Sequence, residues 1–220
     1  MATINVFLVA VAIFLGLIVQ QGDSCFCQLR HPQQHYCASD YVVLAGILDT
    51  DTVYKDDTPI ETQYTVNIKR VFKSGEKYEN ASKGIIISPA HQGQCAVNAL
   101  QIGTNYLITG VAMDGNLYTS LCDWVMPYKN LTKAQKNGIR FKYETGCKCE
   151  FAFCSEANCG QQRYANATCE WEIEDMFDCY HNDGICYHNG EDCLWRETKS
   201  FRTCEEDVYG LGDLSDLFEK

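Results

Sequence analysis

The sequence predicts a mainly β protein, a five-stranded barrel of the OB type with one flanking helix, followed by a small region built on disulfides. Three observations predict it. Five short apolar or alternating runs lie between Tyr41 and Leu121, the strand count of a Greek-key OB barrel. All 14 cysteines lie at or after Cys25, behind an apolar leader. Their density changes abruptly, with six from Cys25 to Cys147 and eight crowded into Cys149 to Cys204.

The leader comes first. Val6 to Val19 is an unbroken apolar run, suited in length to a signal-peptide core and short for a membrane span. Gly22-Asp23-Ser24 sets small residues at the positions that favour cleavage before Cys25, so residues 1–24 are expected to be removed. The first strand is Tyr41 to Leu48, rich in strand formers. Tyr64, Val66 and Ile68 alternate with polar residues, the half-buried strand pattern. Gly84 to Ile87 and Tyr106 to Met113 are two more strands. Asp114-Gly115 then signals a hairpin into Asn116 to Leu121. A helix follows, opened by a capping box over Thr132 to Gln135 and closed at Gly138. Residues 25–147 therefore form the barrel domain. Residues 148–204 lack periodicity and are short enough to need disulfide staples. No linker separates the two, so they are expected to abut. The stretch 205–220 reads as an acidic tail.

Composition excludes several functions. A net charge of −11 without a basic cluster argues against nucleic acid or an anionic membrane as partner. Dense, even cysteines behind a leader indicate an oxidising compartment, and hence a secreted, extracellular protein. Sequons at Asn80, Asn130 and Asn166 agree with a secreted glycoprotein. His31 and His91 have no recurring Ser or carboxylate partner, so no enzyme is expected. Cys179, His181, Cys186, His188 and Cys193 imitate a zinc site, but disulfides with exposed histidines are the better reading.

The sharpest feature is Cys25-Phe26-Cys27 at the expected new terminus. If both cysteines are bonded to distant partners, the terminus is clamped and the α-amine of Cys25 is held in place. A free α-amine titrates at about 7.7–8.0, so much of it can be neutral near physiological pH. With the carbonyl oxygen of the same residue it makes a chelating pair for a zinc ion that has an open position. Fixing that pair beforehand removes an ordering cost on binding. Alone, the tripeptide reads more plainly as two disulfide anchors.

The surrounding residues carry a resemblance. Cys25-Phe-Cys-Gln-Leu-Arg-His31-Pro32-Gln33, followed by Tyr36-Cys37-Ala-Ser39-Asp40, resembles the mature N-terminus of the tissue inhibitors of metalloproteinases. Pro89-Ala90 ahead of Cys95, Tyr106-Leu-Ile-Thr-Gly110 and Cys122-Asp-Trp124 continue it. Leu131 to Gly138 and Gly146-Cys147-Lys-Cys149 do the same, so the likeness spans essentially Cys25 to Cys159.

The resemblance implies a netrin-like OB barrel with bonds Cys25–Cys95, Cys27–Cys122 and Cys37–Cys147. It implies a protease-binding ridge of Cys25, Phe26, Cys27 and Gln28, joined by Gln92, Gly93 and Gln94. The family inhibits matrix metalloproteinases. The amine and carbonyl of the first cysteine chelate the enzyme's zinc, and the second residue enters the primary specificity pocket. A one-to-one complex of a monomer with a secreted or membrane-anchored metalloproteinase is thus expected, with no cofactor of the chain's own. Phe26 and Gln28 depart from the family pattern, in which the second residue is usually Thr or Ser in vertebrates. Beyond residue 148 the likeness weakens. Cys154–Cys159 fits the family. Cys149–Cys186, Cys169–Cys179 and an additional Cys193–Cys204 are the expected pairs, although Cys193-Leu-Trp195 could take the place of Cys169-Glu-Trp171. A non-inhibitory netrin-type module of the extracellular matrix is the rival reading; such modules usually carry residues ahead of the first cysteine.

Overall fold

The computed structural model describes residues 25–155, 157, 159 and 167–210. The expected leader (1–24), Asn166 and the last ten residues of the acidic tail lie outside the described residues.

Six strands form the larger sheet: β1 (Tyr41–Lys55), β2 (Thr58–Lys73), β3 (Ile85–Pro89), β4 (Asn105–Met113), β5 (Asn116–Tyr118) and β6 (Val125–Pro127). The order β1-β2-β3-β5-β4 closes on itself through β1–β4 pairing, which makes the five-stranded OB barrel. β6 adds to the outside of β4, pairing Leu107 with Met126. All pairings are antiparallel except β3 with β5. Closure depends on β1, which pairs with β2 along its length and with β4 over Tyr41–Gly46. Four register shifts along β1–β2 bend the hairpin, as bulges do, so one strand can serve both neighbours. Tyr41, Val43, Ala45 and Ile47 alternate inward and meet Tyr64, Ile86, Ile108 and Leu117 in the barrel core.

β1 and β2 run beyond the stretches expected from hydrophobicity. Their outer halves make a long hairpin turned at Asp56-Asp57, with φ of 48° and 60°. Aspartate tolerates the left-handed region and so supplies the turn that Asn-Gly usually makes. Asp114-Gly115 makes the other tight turn, with φ of 51° and 77°.

A helix absent from the sequence reading, α1 (Pro32–Ala38), precedes β1. Pro32 sits in its first turn, where the missing N–H costs nothing. The His31 ring accepts from the Gln33 N–H, and Gln34 reaches back to the His31 N–H. α2 (Glu76–Glu79) lies between β2 and β3, and α3 (Lys133–Asn137) follows β6, with Thr132 and Gln135 making the expected capping box. α3 ends at Asn137 with Gly138 as its C-cap, in the right-handed region. The chain continues into a π turn over Gly138–Lys142, and a Cβ on Gly138 would lie 2.3 Å from the Tyr143 ring. Packing against Tyr143, rather than a left-handed cap, requires glycine there.

The second region contains β7 (Glu150–Cys154) parallel to β8 (Thr168–Glu172), a β9 (Cys186–His188) and β10 (Cys193–Trp195) hairpin, α4 (Phe177–Asp183) and α5 (Lys199–Tyr209). Its bonds are Cys149–Cys193, Cys154–Cys159, Cys169–Cys186 and Cys179–Cys204. This corrects the expected Cys149–Cys186, Cys169–Cys179 and Cys193–Cys204. The β9–β10 hairpin carries Cys186 and Cys193 at opposite ends, pairing Cys186 with Trp195 and Cys193 with His188. One end of the hairpin then meets Cys169 on β8 and the other meets Cys149 just before β7. Cys204 lies on α5, whose buried Phe201 packs with Met176 and Cys179, so its sulfur meets α4. α5 also crosses the expected 204/205 boundary of the tail, running to Tyr209 with Thr198 as its cap.

The two regions abut through polar groups. Thr132 donates to the Asn182 carbonyl at 2.6 Å and Gln135 to the His181 carbonyl at 3.2 Å. The backbone at Gly146 passes so close that a Cβ would lie 2.2 Å from the Cys186 carbonyl oxygen. His31, fully buried, packs its ring against Phe151, Trp171 and Trp195 at 5.2–5.4 Å.

Candidate functional site, a disulfide-pinned tripeptide

Cys25 to Gln28 adopt no regular secondary structure. Two disulfides hold them instead. Cys25 is bonded to Cys95 and Cys27 to Cys122, with Cα separations of 5.0 and 5.1 Å. The bonds lie side by side. Cys25 Sγ is 3.8 Å from Cys27 Sγ and 3.9 Å from Cys122 Sγ, and Cys122 Sγ is 3.5 Å from Cys95 Sγ. Both anchors therefore tie the tripeptide to one spot. Between them Phe26 is 91% exposed.

The anchoring loops are themselves braced. Gln92–Gln94 form a single 3-10 turn that ends at Cys95 in the left-handed region, φ 62° and ψ 42°. Ala96 donates to the His91 carbonyl and Val97 to the Ser88 hydroxyl on β3. On the other side, the Asp123 carboxylate accepts from the Ser120 N–H and hydroxyl, both at 2.8 Å. Burial raises the Asp123 pKa, while the Ser120 bonds and the Arg30 charge oppose that rise. Trp124 donates to the Thr109 hydroxyl on β4. Leu121 N–H donates to the Cys95 carbonyl at 2.8 Å, which joins the two loops.

Three segments thus converge: Cys25–Gln28, the Gln92–Gln94 turn and Ser120–Cys122. Gln28, Gln92 and Gln94 are exposed and Gly93 is half-buried. Ser120 and Leu121 were not singled out from the sequence. Their signal was their place just before Cys122, the expected partner of Cys27. Leu121, 43% exposed, adds an apolar side chain to this surface.

The four clustered sulfurs are close enough for metal ligands, but all four are in disulfides and so are not thiolate donors. The zinc-site imitation in the second region resolves likewise. Cys179, Cys186 and Cys193 are bonded, His181 stacks on Phe177, and His188 Nδ1 accepts from the Gly190 N–H. Asn80 and Asn130 are exposed, as glycan acceptors must be.

Comparison with known proteins covers this whole arrangement. The family profile for tissue inhibitor of metalloproteinase matches residues 23–195. "Tissue inhibitor of metalloproteinase" of Drosophila melanogaster is 29% identical over 211 residues, 91% of this chain and 94% of the relative. "Metalloproteinase inhibitor 3" of Xenopus laevis is 31% identical over 148 residues, 67% of each chain. "Metalloproteinase inhibitor 2" of Bos taurus is 31% identical over 155 residues, 67% of this chain and 68% of the relative. With a profile match over most of its length, taking in the barrel, the pinned Cys25-Phe26-Cys27 and the second region as far as Trp195, the chain belongs to the tissue inhibitor of metalloproteinase family.

Proposed function

We propose that this chain is a secreted inhibitor of zinc metalloproteinases, the matrix metalloproteinases foremost, and not an enzyme. The relatives' names support an inhibitor of metalloproteinases. The observation that carries the mechanism is the fastening of Cys25-Phe26-Cys27 by two neighbouring disulfides with Phe26 projecting into solvent.

Cleavage after Ser24 turns the backbone nitrogen of Cys25 into a primary amine. Its neutral form and the Cys25 carbonyl oxygen close a five-membered chelate on the target's zinc, in the position a catalytic water would hold. The zinc belongs to the protease, and the chain brings no cofactor. Because the disulfides already hold the pair, little further ordering is needed on association. Phe26 enters the pocket beside the metal, while Gln28, Gln92, Gly93, Gln94 and Leu121 flank it. The complex is one-to-one with a monomeric inhibitor.

The test is one added residue. Placing Ala ahead of Cys25 in the mature protein converts the amine to an amide, which does not chelate, and leaves the barrel unchanged. Inhibition should vanish while the circular dichroism spectrum and the seven disulfides persist. Undiminished inhibition by the extended protein, verified by N-terminal sequencing, would rule out chelation.

A further inference from the structure

On the far end of β5 from Ser120, a groove of about 620 Å³ is lined by Asp40, Lys77, Asn80, Val111, Met113 and the Asp114-Gly115 turn, among others. Its floor is apolar. Val111 and Met113 are alternate residues of β4, share its outer face, and are 46% and 55% exposed. One wall is polar: Lys77 pairs with Asp40 at 3.4 Å, and the same Asp40 oxygen accepts the Ala112 N–H at 3.0 Å. Clefts that take small-molecule ligands have volumes of roughly 300–1,000 Å³.

The attachment point for such a molecule is part of the lining. Asn80 opens the sequon Asn80-Ala81-Ser82. Buried Tyr78 and Ala81 clamp this turn onto the barrel, leaving Asn80 and Ser82 exposed. Ser82 N–H donates to the Gly115 carbonyl at 2.8 Å, which fastens the sequon to the turn that walls the groove. A sugar linked to Asn80 is therefore delivered to the groove at high effective concentration. N-acetylglucosamine also matches it chemically, with an apolar C–H face for Val111 and Met113 and hydroxyl and amide groups for Asp40 and Lys77. Resting on the secretory reading above, we infer that Asn80 carries an N-linked glycan whose first sugars lie in this groove and cover Val111 and Met113.

Oxidation of Met113 by hydrogen peroxide reports the cover, because methionine sulfoxide forms fastest where the thioether is accessible. The full chain, secreted from a glycosylating eukaryotic host, is compared with Asn80→Gln and with Ser82→Ala, which keeps the asparagine and removes the sequon. Peptide mass mapping gives glycan occupancy at Asn80 and sulfoxide at Met113, with Met126 as internal control. The expected result is an occupied Asn80 and Met113 oxidation ~3-fold or more slower than in both variants, with Met126 unchanged. Equal Met113 rates with an occupied Asn80 overturn the inference. A bare Asn80 in secreted protein also overturns it, and leaves the inhibitor reading untouched. If no protein reaches the medium, the secretory reading fails as well.

Discussion

The Gln33 side chain exchanges two hydrogen bonds with the backbone of Cys186: Nε2 donates to the carbonyl at 2.8 Å, and the Cys186 N–H donates to Oε1 at 2.9 Å. The same Nε2 donates to the Tyr143 carbonyl at 2.9 Å. A side chain of α1 thus acts as a strand edge for β9 and is itself fully buried. Removing it leaves three buried backbone groups unpaired, at about 1–3 kcal/mol each before relaxation. Gln33→Ala should lower the urea-unfolding free energy by about 2–5 kcal/mol. Inhibition under native conditions should persist, because Cys25-Phe26-Cys27 has its own anchors. A loss below ~0.5 kcal/mol, the scale of an ordinary surface change, would show that the contact does not hold the regions together.

Residues 25–147 alone should fold and inhibit. Their six cysteines pair among themselves in the whole protein, and the barrel core draws only on this segment. The fragment uncovers His31, Gln33 and Tyr143, so it should be less stable than the full chain while matching its inhibition constant within about tenfold, or ~1.4 kcal/mol. An oxidised, folded fragment that fails to inhibit would place part of the site in the second region.

Phe26 should set selectivity. Its exposure leaves its apolar surface available for burial, worth on the order of 1.5–3 kcal/mol in a pocket that accepts it. Phe26→Gly should weaken inhibition of deep-pocket metalloproteinases by roughly ten- to a hundredfold, at about 1.4 kcal/mol per tenfold. Shallow-pocket enzymes should be affected little or inhibited better. Equal loss across a panel of both would refute the selectivity role.

Acid should loosen the protein through its histidines. Burial depresses the His31 pKa to about 3, against the bond to the Tyr180 carbonyl and with His181 and His35 adding repulsion. Burial, then Arg30 and His181, bring His35 to about 4. The unfolded chain protonates both near 6.5 and the folded one does not, so the full stability is present above about pH 6.5. It declines as pH falls towards 4, by roughly 1.4 kcal/mol per unit for each histidine. Asp123, whose pKa is raised by burial, acts in the opposite sense only in the carboxylate range. Urea midpoints at pH 7.5, 6 and 5 should fall steadily, and His31→Asn should roughly halve the slope. A flat profile would contradict the assignment of neutral, buried rings.

Much of the barrel was legible because its strands carry their own inward-facing alternation, as at Tyr64, Val66 and Ile68. The Asp114-Gly115 turn and the Thr132 cap are local chemistry and were equally readable. The outer hairpin was not, since Asp49 to Lys55 is polar and mostly exposed and gives no period to detect. α1 was hidden because a seven-residue helix has little intrinsic stability and draws it from contacts such as Gln33 with Cys186. The pairing of the last cysteines depended on β9–β10 and α5, whose positions come only from the folded chain. At the candidate site, Cys25, Phe26 and Cys27 announced themselves by spacing, whereas Leu121 acquires its place through a backbone bond to Cys95.

The four sulfurs of Cys25, Cys27, Cys95 and Cys122 all lie within 4.8 Å of one another. Four cysteines can pair in three ways, and at this separation a thiolate set free when an external thiol opens one bond can attack the neighbouring disulfide and pass the bond to a different pair. In the pairing present, Phe26 projects into solvent. A molecule with a shuffled pair at this spot could keep a sound barrel and still present a misdirected amine. Under the proposed mechanism, the titre of active protein would then count correctly oxidised molecules rather than folded ones, and a disulfide isomerase in the producing cell would act as the last editor of the inhibitor.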